Sequence, residues 1–197
     1  MPTFWQDRPA IMGPSSRDTF WVFTQRATLE VVTRYIMEKQ MTSFLDVGCS
    51  TGIFGCKLFD IGFKGKYCGV DSNEKAIVIG RKNLEGTNSE MFACDAEKMN
   101  FPDQSFDVVF IKGLIEHAAY YEEIIKESLR VCKKHFILSM FIKPTGAPDN
   151  INPQPQGYHL NHYNNEKLFG FIEKFGFRKS MLLYEDQVDI VLSWERN

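Results

Sequence analysis

Apolar positions along the chain alternate between a helical and a strand-like period. Phe20, Phe23, Thr24, Ala27, Val31 and Tyr35 recur at helical spacing, with Ser16 or Asp18 as a cap, and predict a helix to about Lys39. Ser43 to Val47 reads as a buried strand, and a helix from Ile53 stops at Gly62. Tyr67 to Val70 is a short strand, followed by a helix over Glu74 to Leu84 and a brief strand over Met91 to Ala93. Phe106 to Ile111 is a continuous apolar run, as expected of a strand covered on both faces. Tyr121, Ile124, Ile125, Ser128 and Leu129 mark one helix face, and Phe136 to Ile142 predicts another central strand. Four prolines between Lys143 and Gln156 then predict a long loop, of a length often functional. Leu168, Phe171, Ile172 and Phe175 form a last helix that stops at Gly176. Lys179 to Tyr184 and Val188 to Trp194 read as two final strands.

Only Glu185, Asp186 and Gln187 separate those final strands. Three residues cannot hold a crossover helix, so the two are expected to be antiparallel. Elsewhere strand and helix alternate, which predicts parallel strands with right-handed crossovers. The fold class is therefore α/β: a Rossmann-like, doubly wound, seven-stranded and mostly parallel sheet with a C-terminal antiparallel hairpin.

Ligands of such sheets sit at the carboxyl ends of the strands. Phe44-Leu45-Asp46-Val47-Gly48-Cys49-Ser50-Thr51-Gly52 reads as a strand running into a glycine-rich turn. Such a turn exposes N–H groups at the next helix N-terminus, where a nucleotide-like ligand can lie. An acid at Asp46 would repel a pyrophosphate but favour a cationic sulfonium and an amine. Asp71 follows about 20 residues later, the offset of a ribose-binding acid; it also suits the cap of the helix beginning near Asn73. Asp95 ends the third strand, and Lys112 the fourth.

The pattern Asp46-x-Gly48-x-Ser50-x-Gly52 resembles motif I of the class I S-adenosylmethionine-dependent methyltransferases, which usually have glycine where Ser50 stands. Cys94-Asp95-Ala96-Glu97 resembles the family's motif III, and Ile111-Lys112-Gly113-Leu114-Ile115-Glu116-His117 its motif IV. The resemblance implies S-adenosylmethionine as cofactor, S-adenosylhomocysteine as product, and cofactor contacts from Asp46, Gly48, Cys49, Ser50, Gly52, Asp71, Ser72, Asp95, Ala96 and Lys112. Asp95 would accept from the adenine amino group, and backbone around Lys112 would hold the methionine end. His117 is a candidate general base or an orienting residue. Trp5, Arg17, Trp21, Tyr121, His159 and His162 are candidate acceptor contacts. Residues 1–40 would form an N-terminal helical cap or lid, and 41–197 the cofactor-binding domain.

Composition narrows the acceptor. A chain of 197 residues, 44% hydrophobic and 24% charged, suits one soluble domain. The net charge of −2 gives no reason to expect a nucleic-acid partner, and no Asn-Pro-Pro-Tyr motif is present. No apolar run reaches the ~20 residues of a membrane span. Five scattered cysteines without a Cys-x-x-Cys pair suit a reduced, cytoplasmic protein. His159 and His162 lack a third ligand, so no metal is expected. The reading is a methyltransferase of a small-molecule acceptor, monomer or homodimer, methylating an O, N or C atom. The alternatives are a protein or RNA methyltransferase, an inactive cofactor-binding scaffold, and an NAD-dependent oxidoreductase.

Overall fold

A computed structural model describes residues 26–197. The proposed lid residues Trp5, Arg17 and Trp21 lie outside the described residues, as does the start of the first helix. The described part of that helix is α1 (Arg26–Glu38). There follow β1 (Ser43–Val47), α2 (Ile53–Asp60), β2 (Lys66–Asp71), α3 (Glu74–Asn83), β3 (Ser89–Ala93) and β4 (Phe106–Lys112). A 3-10 turn (Ile115–His117) leads to α4 (Glu122–Val131), β5 (Cys132–Met140), α5 (Asn165–Glu173), β6 (Phe177–Glu185) and β7 (Ile190–Arg196).

The seven strands form one sheet in the order β3-β2-β1-β4-β5-β7-β6. β1 to β5 pair in parallel, and β7 is antiparallel to both β5 and β6. The strand order reverses between β1 and β4, the switch point at which open α/β sheets bind ligands. Strand alternation divides the core. Phe44, Val108, Phe110, Ile137 and Val191 pack under α1, α2 and α3, whereas Leu45, Val70, Ile111, Phe136 and Trp194 pack under α4 and α5. Both faces are apolar, so the central strands read as unbroken hydrophobic runs.

Several boundaries differ from the sequence expectation; β3 begins at Ser89 rather than Met91, and β6 at Phe177 rather than Lys179. β5 spans Cys132–Met140 rather than Phe136 to Ile142. Cys132 already pairs with Phe106 of β4, while the Phe141 N–H leaves the sheet and donates to Glu116 Oε1 at 2.8 Å. β7 begins at Ile190, not Val188. The N–H groups of Val188 and Asp189 both donate to Asp186 Oδ1, which makes these residues part of the hairpin turn. The proline-containing loop is tied down: Asn150 and His162 exchange both backbone hydrogen bonds, at 2.8 and 3.0 Å. Asp107 serves the fold at the opposite edge, accepting from the Thr42 hydroxyl at 2.6 Å and from the Thr42 and Ser43 N–H groups.

Candidate active site

The glycine turn folds back over the end of β2. Gly48 (φ 80°) and Cys49 donate their N–H groups to the Val70 carbonyl at 2.8 and 3.0 Å. Gly52 (φ 71°) opens α2 in a left-handed conformation that favours glycine. Asp71 clasps the turn from the end of β2. Its Oδ2 accepts from the Ser50 N–H at 2.8 Å and its Oδ1 from the Asn73 N–H at 2.9 Å. The cap of α3 is Asn73, whose side chain accepts from the Ala76 N–H at 3.1 Å. Ser72 lies between these two groups. Burial raises the Asp71 carboxyl above its ordinary value, and the two N–H donors offset part of that rise. Ser50 sits at φ 49°, a left-handed conformation that glycine adopts without strain. Ser50→Gly is therefore expected to stabilise the protein by about 1 kcal/mol in urea titration; a loss of stability would show that the hydroxyl matters more than the strain.

Asp46 lies at the end of β1 on the α1–α3 face and is 4% exposed. Its Oδ2 accepts from the Tyr67 hydroxyl at 2.7 Å. Gly55 on α2 makes this contact possible, since a Cβ there would stand 2.8 Å from the Tyr67 ring. Burial pushes the Asp46 carboxyl up to about 7; the Tyr67 bond and the Lys112 ammonium oppose that rise, and Asp71 adds to it. Lys112, on the neighbouring strand, is pulled down by burial and held up by Asp189, Asp46 and Glu116. Its side chain therefore belongs to the site together with its backbone. Cys49 is buried, with its thiol against Gly69.

Asp95 is exposed and closes a local turn, its Oδ1 accepting from the Glu97 N–H at 3.0 Å, while Ala96 is buried beneath it. This turn is what the local sequence already allowed.

His117 closes the 3-10 turn after β4. Its Nδ1 is 3.0 Å from the His159 carbonyl. A carbonyl only accepts, so Nδ1 carries the hydrogen. The ring packs 5.1 Å from Phe141 and 5.8 Å from Tyr158, centroid to centroid. The structure thus brings the 158–159 segment to His117. His162 does not join it: its side chain is exposed and its backbone pairs with Asn150. Tyr121 requires correction as an acceptor contact. It is 2% exposed, with its ring edge-on to Tyr163 at 4.9 Å and Phe171 at 5.7 Å, and it fills the core where α4 meets α5.

Two further acids lie buried nearby: Glu116, which the resemblance gives a packing or orienting role beside His117, and Asp189, which sequence reasoning did not single out. Glu116 is fully buried; its Oε1 accepts from Phe141 N–H, and its carbonyl accepts from Asn161 N–H at 2.9 Å. Asn161 in turn bonds the Ala118 carbonyl and the Tyr163 hydroxyl, and this network fastens the turn bearing His117 to the loop beyond β5. Asp189, just before β7, is 7% exposed and accepts from the Thr28 hydroxyl of α1 at 3.5 Å. Chain separation hid Asp189, since only the pairing of β7 with β5 carries it towards the end of the sheet. Glu116 stood visible within a recognised motif, but nothing local marked it as buried.

Asp46 at the end of β1 opposes a diphosphate, whereas Asp71 at the end of β2 suits the ribose of either kind of nucleotide ligand. Together the two suit a diol and a positive charge, with left-handed glycines allowing close approach of the turn.

Comparison with known proteins agrees with this chemistry. Residues 45–139 match the family model described as a methyltransferase domain. The chain is 33% identical over 108 residues to the ubiquinone/menaquinone biosynthesis C-methyltransferase UbiE of Pseudomonas entomophila, an alignment covering 51% of this chain and 42% of that protein. The chain thus spans less than half the length of the curated relatives it matches. Among solved structures, the PH0226 protein of Pyrococcus horikoshii superposes with a TM-score of 0.72 at 18% identity, covering 100% of both chains. Magnesium protoporphyrin IX methyltransferase of Synechocystis, solved with bound S-adenosylmethionine, gives 0.67 at 13% identity, covering 88% of this chain and 80% of that one. At these identities the structural likeness establishes the fold.

Proposed function

We propose that this chain, a member of the class I S-adenosylmethionine-dependent methyltransferase family through its domain at residues 45–139, transfers a methyl group to an O, N or C atom of a small-molecule acceptor. The observation that carries this reading is the buried Asp46 beside a glycine turn clasped by Asp71. S-adenosylmethionine, when bound, supplies a methyl group already activated on a sulfonium. Asp71 would hold the ribose hydroxyls with the lone pairs its N–H partners leave free, and Asp95 the adenine amino group. Asp46 would stabilise positive charge at the methionine end, with the backbone around Lys112 fixing its position. The left-handed Gly48 and Gly52 let the backbone of the turn come close to the ligand. His117, fixed in one tautomer, would face the acceptor as a base or an orienting group. The protein's task is chiefly alignment and exclusion of water, because the leaving group needs no further activation.

Several observations bear on partners and setting. Among the described residues, no helix is long and apolar enough to cross a membrane. All five cysteines are free, and four are buried, which supports a reduced, cytoplasmic setting. The mild negative charge favours a small molecule over nucleic acid.

Calorimetric titration with S-adenosylmethionine, S-adenosylhomocysteine and NAD tests the reading. Micromolar binding of the first two with none of NAD is expected. Binding of NAD alone would replace the proposal with an oxidoreductase.

A further inference from the structure

Asp46 is held by a side chain that the cofactor reading does not use. In the β1–β2 register Phe44 pairs with Tyr67 and Asp46 with Gly69, so Tyr67 lies one pair behind Asp46 on the same face of the sheet. Its hydroxyl reaches forward and donates to Asp46 Oδ2 at 2.7 Å. The ring is fixed on three sides. It stacks on Phe44 at 6.0 Å and 11°, meets Phe59 edge-on at 6.5 Å and 70°, and leaves no room for a Cβ on Gly55, which would lie 2.8 Å away. Cys49 Sγ fills the space over Gly69, where a Cβ would lie 2.8 Å from it. Tyr67 is fully buried, so its hydroxyl has no bulk water to turn to.

Among the described residues, no other hydrogen-bond donor reaches Asp46. The bond therefore does two things. It fixes the carboxylate plane with Oδ2 engaged, which leaves Oδ1 for a ligand. It also supports the ionised form, since a buried carboxylate without a donor keeps its proton. Burial raises Asp46 to about 7; Tyr67 opposes that rise more than Lys112 of β4 does, and Asp71 of β2 adds to it. The Cys49 thiol of the turn lies beside them, itself pushed up by burial and by Asp46. Near neutral pH Asp46 is poised between its two forms, and a cation arriving beside it draws the proton out.

We propose that Tyr67 is a positioning residue of the cofactor site, whose hydroxyl aims the Asp46 carboxylate at the positive methionine end of S-adenosylmethionine and makes its ionised form available there. This rests on the methyltransferase reading. On binding, the Asp46 O–H bond of the protonated fraction breaks, the electron pair stays on oxygen, and the proton leaves to solvent. Tyr67 keeps its own proton and donates throughout.

The test is calorimetric titration of the full chain with S-adenosylmethionine from pH 5.5 to 7.5, below the pKa of about 7.7–8 of an α-amino group. Wild-type affinity should rise about tenfold per pH unit at the low end and begin to level near pH 7. At pH 6, buffers of different ionisation enthalpy should report release of about one proton per ligand bound; no release overturns the proposal whatever the variants do. Tyr67→Phe keeps the ring and its packing and loses the donor; urea titration checks that it is folded. Its affinity should be about tenfold below wild type at pH 5.5 and still climbing at pH 7.5, where the gap narrows to about threefold. Asp46→Asn has no charge to support, so adding Tyr67→Phe to it should change affinity less than about twofold. A Tyr67→Phe profile identical or parallel to wild type, or a loss that persists in the Asp46→Asn background, makes Tyr67 a packing residue and overturns the assignment. S-adenosylhomocysteine keeps the amine and lacks the sulfonium. A shift with both ligands supports a contact to the ammonium, and a shift with S-adenosylmethionine alone a contact to the sulfonium. Wild-type protein that binds neither ligand sinks the methyltransferase reading itself.

Discussion

Replacing Asp71 with alanine is expected to weaken S-adenosylmethionine binding by at least about 100-fold, or about 3 kcal/mol. Two losses act together. The proposed ribose contact is a bidentate bond to a charged acceptor, and such bonds contribute about 1.5–3 kcal/mol each. The same carboxylate also receives the Ser50 and Asn73 N–H groups, so its removal frees the turn that must lie against the ligand. Asp71→Asn keeps one acceptor oxygen and should fall between alanine and wild type. Stability and affinity separate the roles. A folded Asp71→Ala protein that binds S-adenosylmethionine within twofold of wild type would make Asp71 a brace for the turn and nothing more.

That double duty of Asp71 shows what the chain disclosed and what it hid. The glycine turn was legible because left-handed backbone angles at Gly48 and Gly52 leave few residues to choose from. The terminal hairpin was legible from a gap too short for a crossover. The mostly parallel sheet followed from alternation of two periods. Tyr121 misled because helical periodicity reports that a face is covered, not by what; here Tyr163 and Phe171 cover it. The end of β5 was misplaced because Phe141 and Ile142 are as apolar as the strand, and only the buried Glu116 draws the chain away. Asp189 depends on β7 pairing with β5, a contact without local signature. The glycine turn is thus written in short-range pattern, and the surroundings of Glu116 and Asp189 in long-range register.

The buried acids should also make stability fall with rising pH, and Glu116 offers the clean test. In the unfolded chain Glu116 ionises near 4.5, whereas burial holds it at about 7 in the folded protein, against the bond from Phe141 N–H. Between those values the folded state keeps a proton that the unfolded state has released. Stability from this group is therefore full below about 4.5, declines as pH rises to about 7, and is level above. The loss between pH 5 and pH 8 is about 2–3 kcal/mol. Asp46, raised from 3.8 to about 7, acts in the same direction. His135 opposes both. Buried beside the Tyr35 hydroxyl, it is held down to about 4, so the unfolded imidazole binds a proton first and stability rises from pH 4 to 6.5. Wild-type curves mix these signs, and comparison with a variant isolates one. Glu116→Gln retains an oxygen for the Phe141 N–H and has no charge to bury. It should match wild type near pH 5 and exceed it by about 2–3 kcal/mol at pH 8, equivalent to roughly 5–10 °C in melting temperature. Glu116→Ala should instead be weaker at both pH values, because it orphans the Phe141 N–H. Parallel pH profiles for wild type and Glu116→Gln would show that Glu116 is already ionised in the fold, and that its carboxylate is held by its hydrogen bonds rather than burdened by burial.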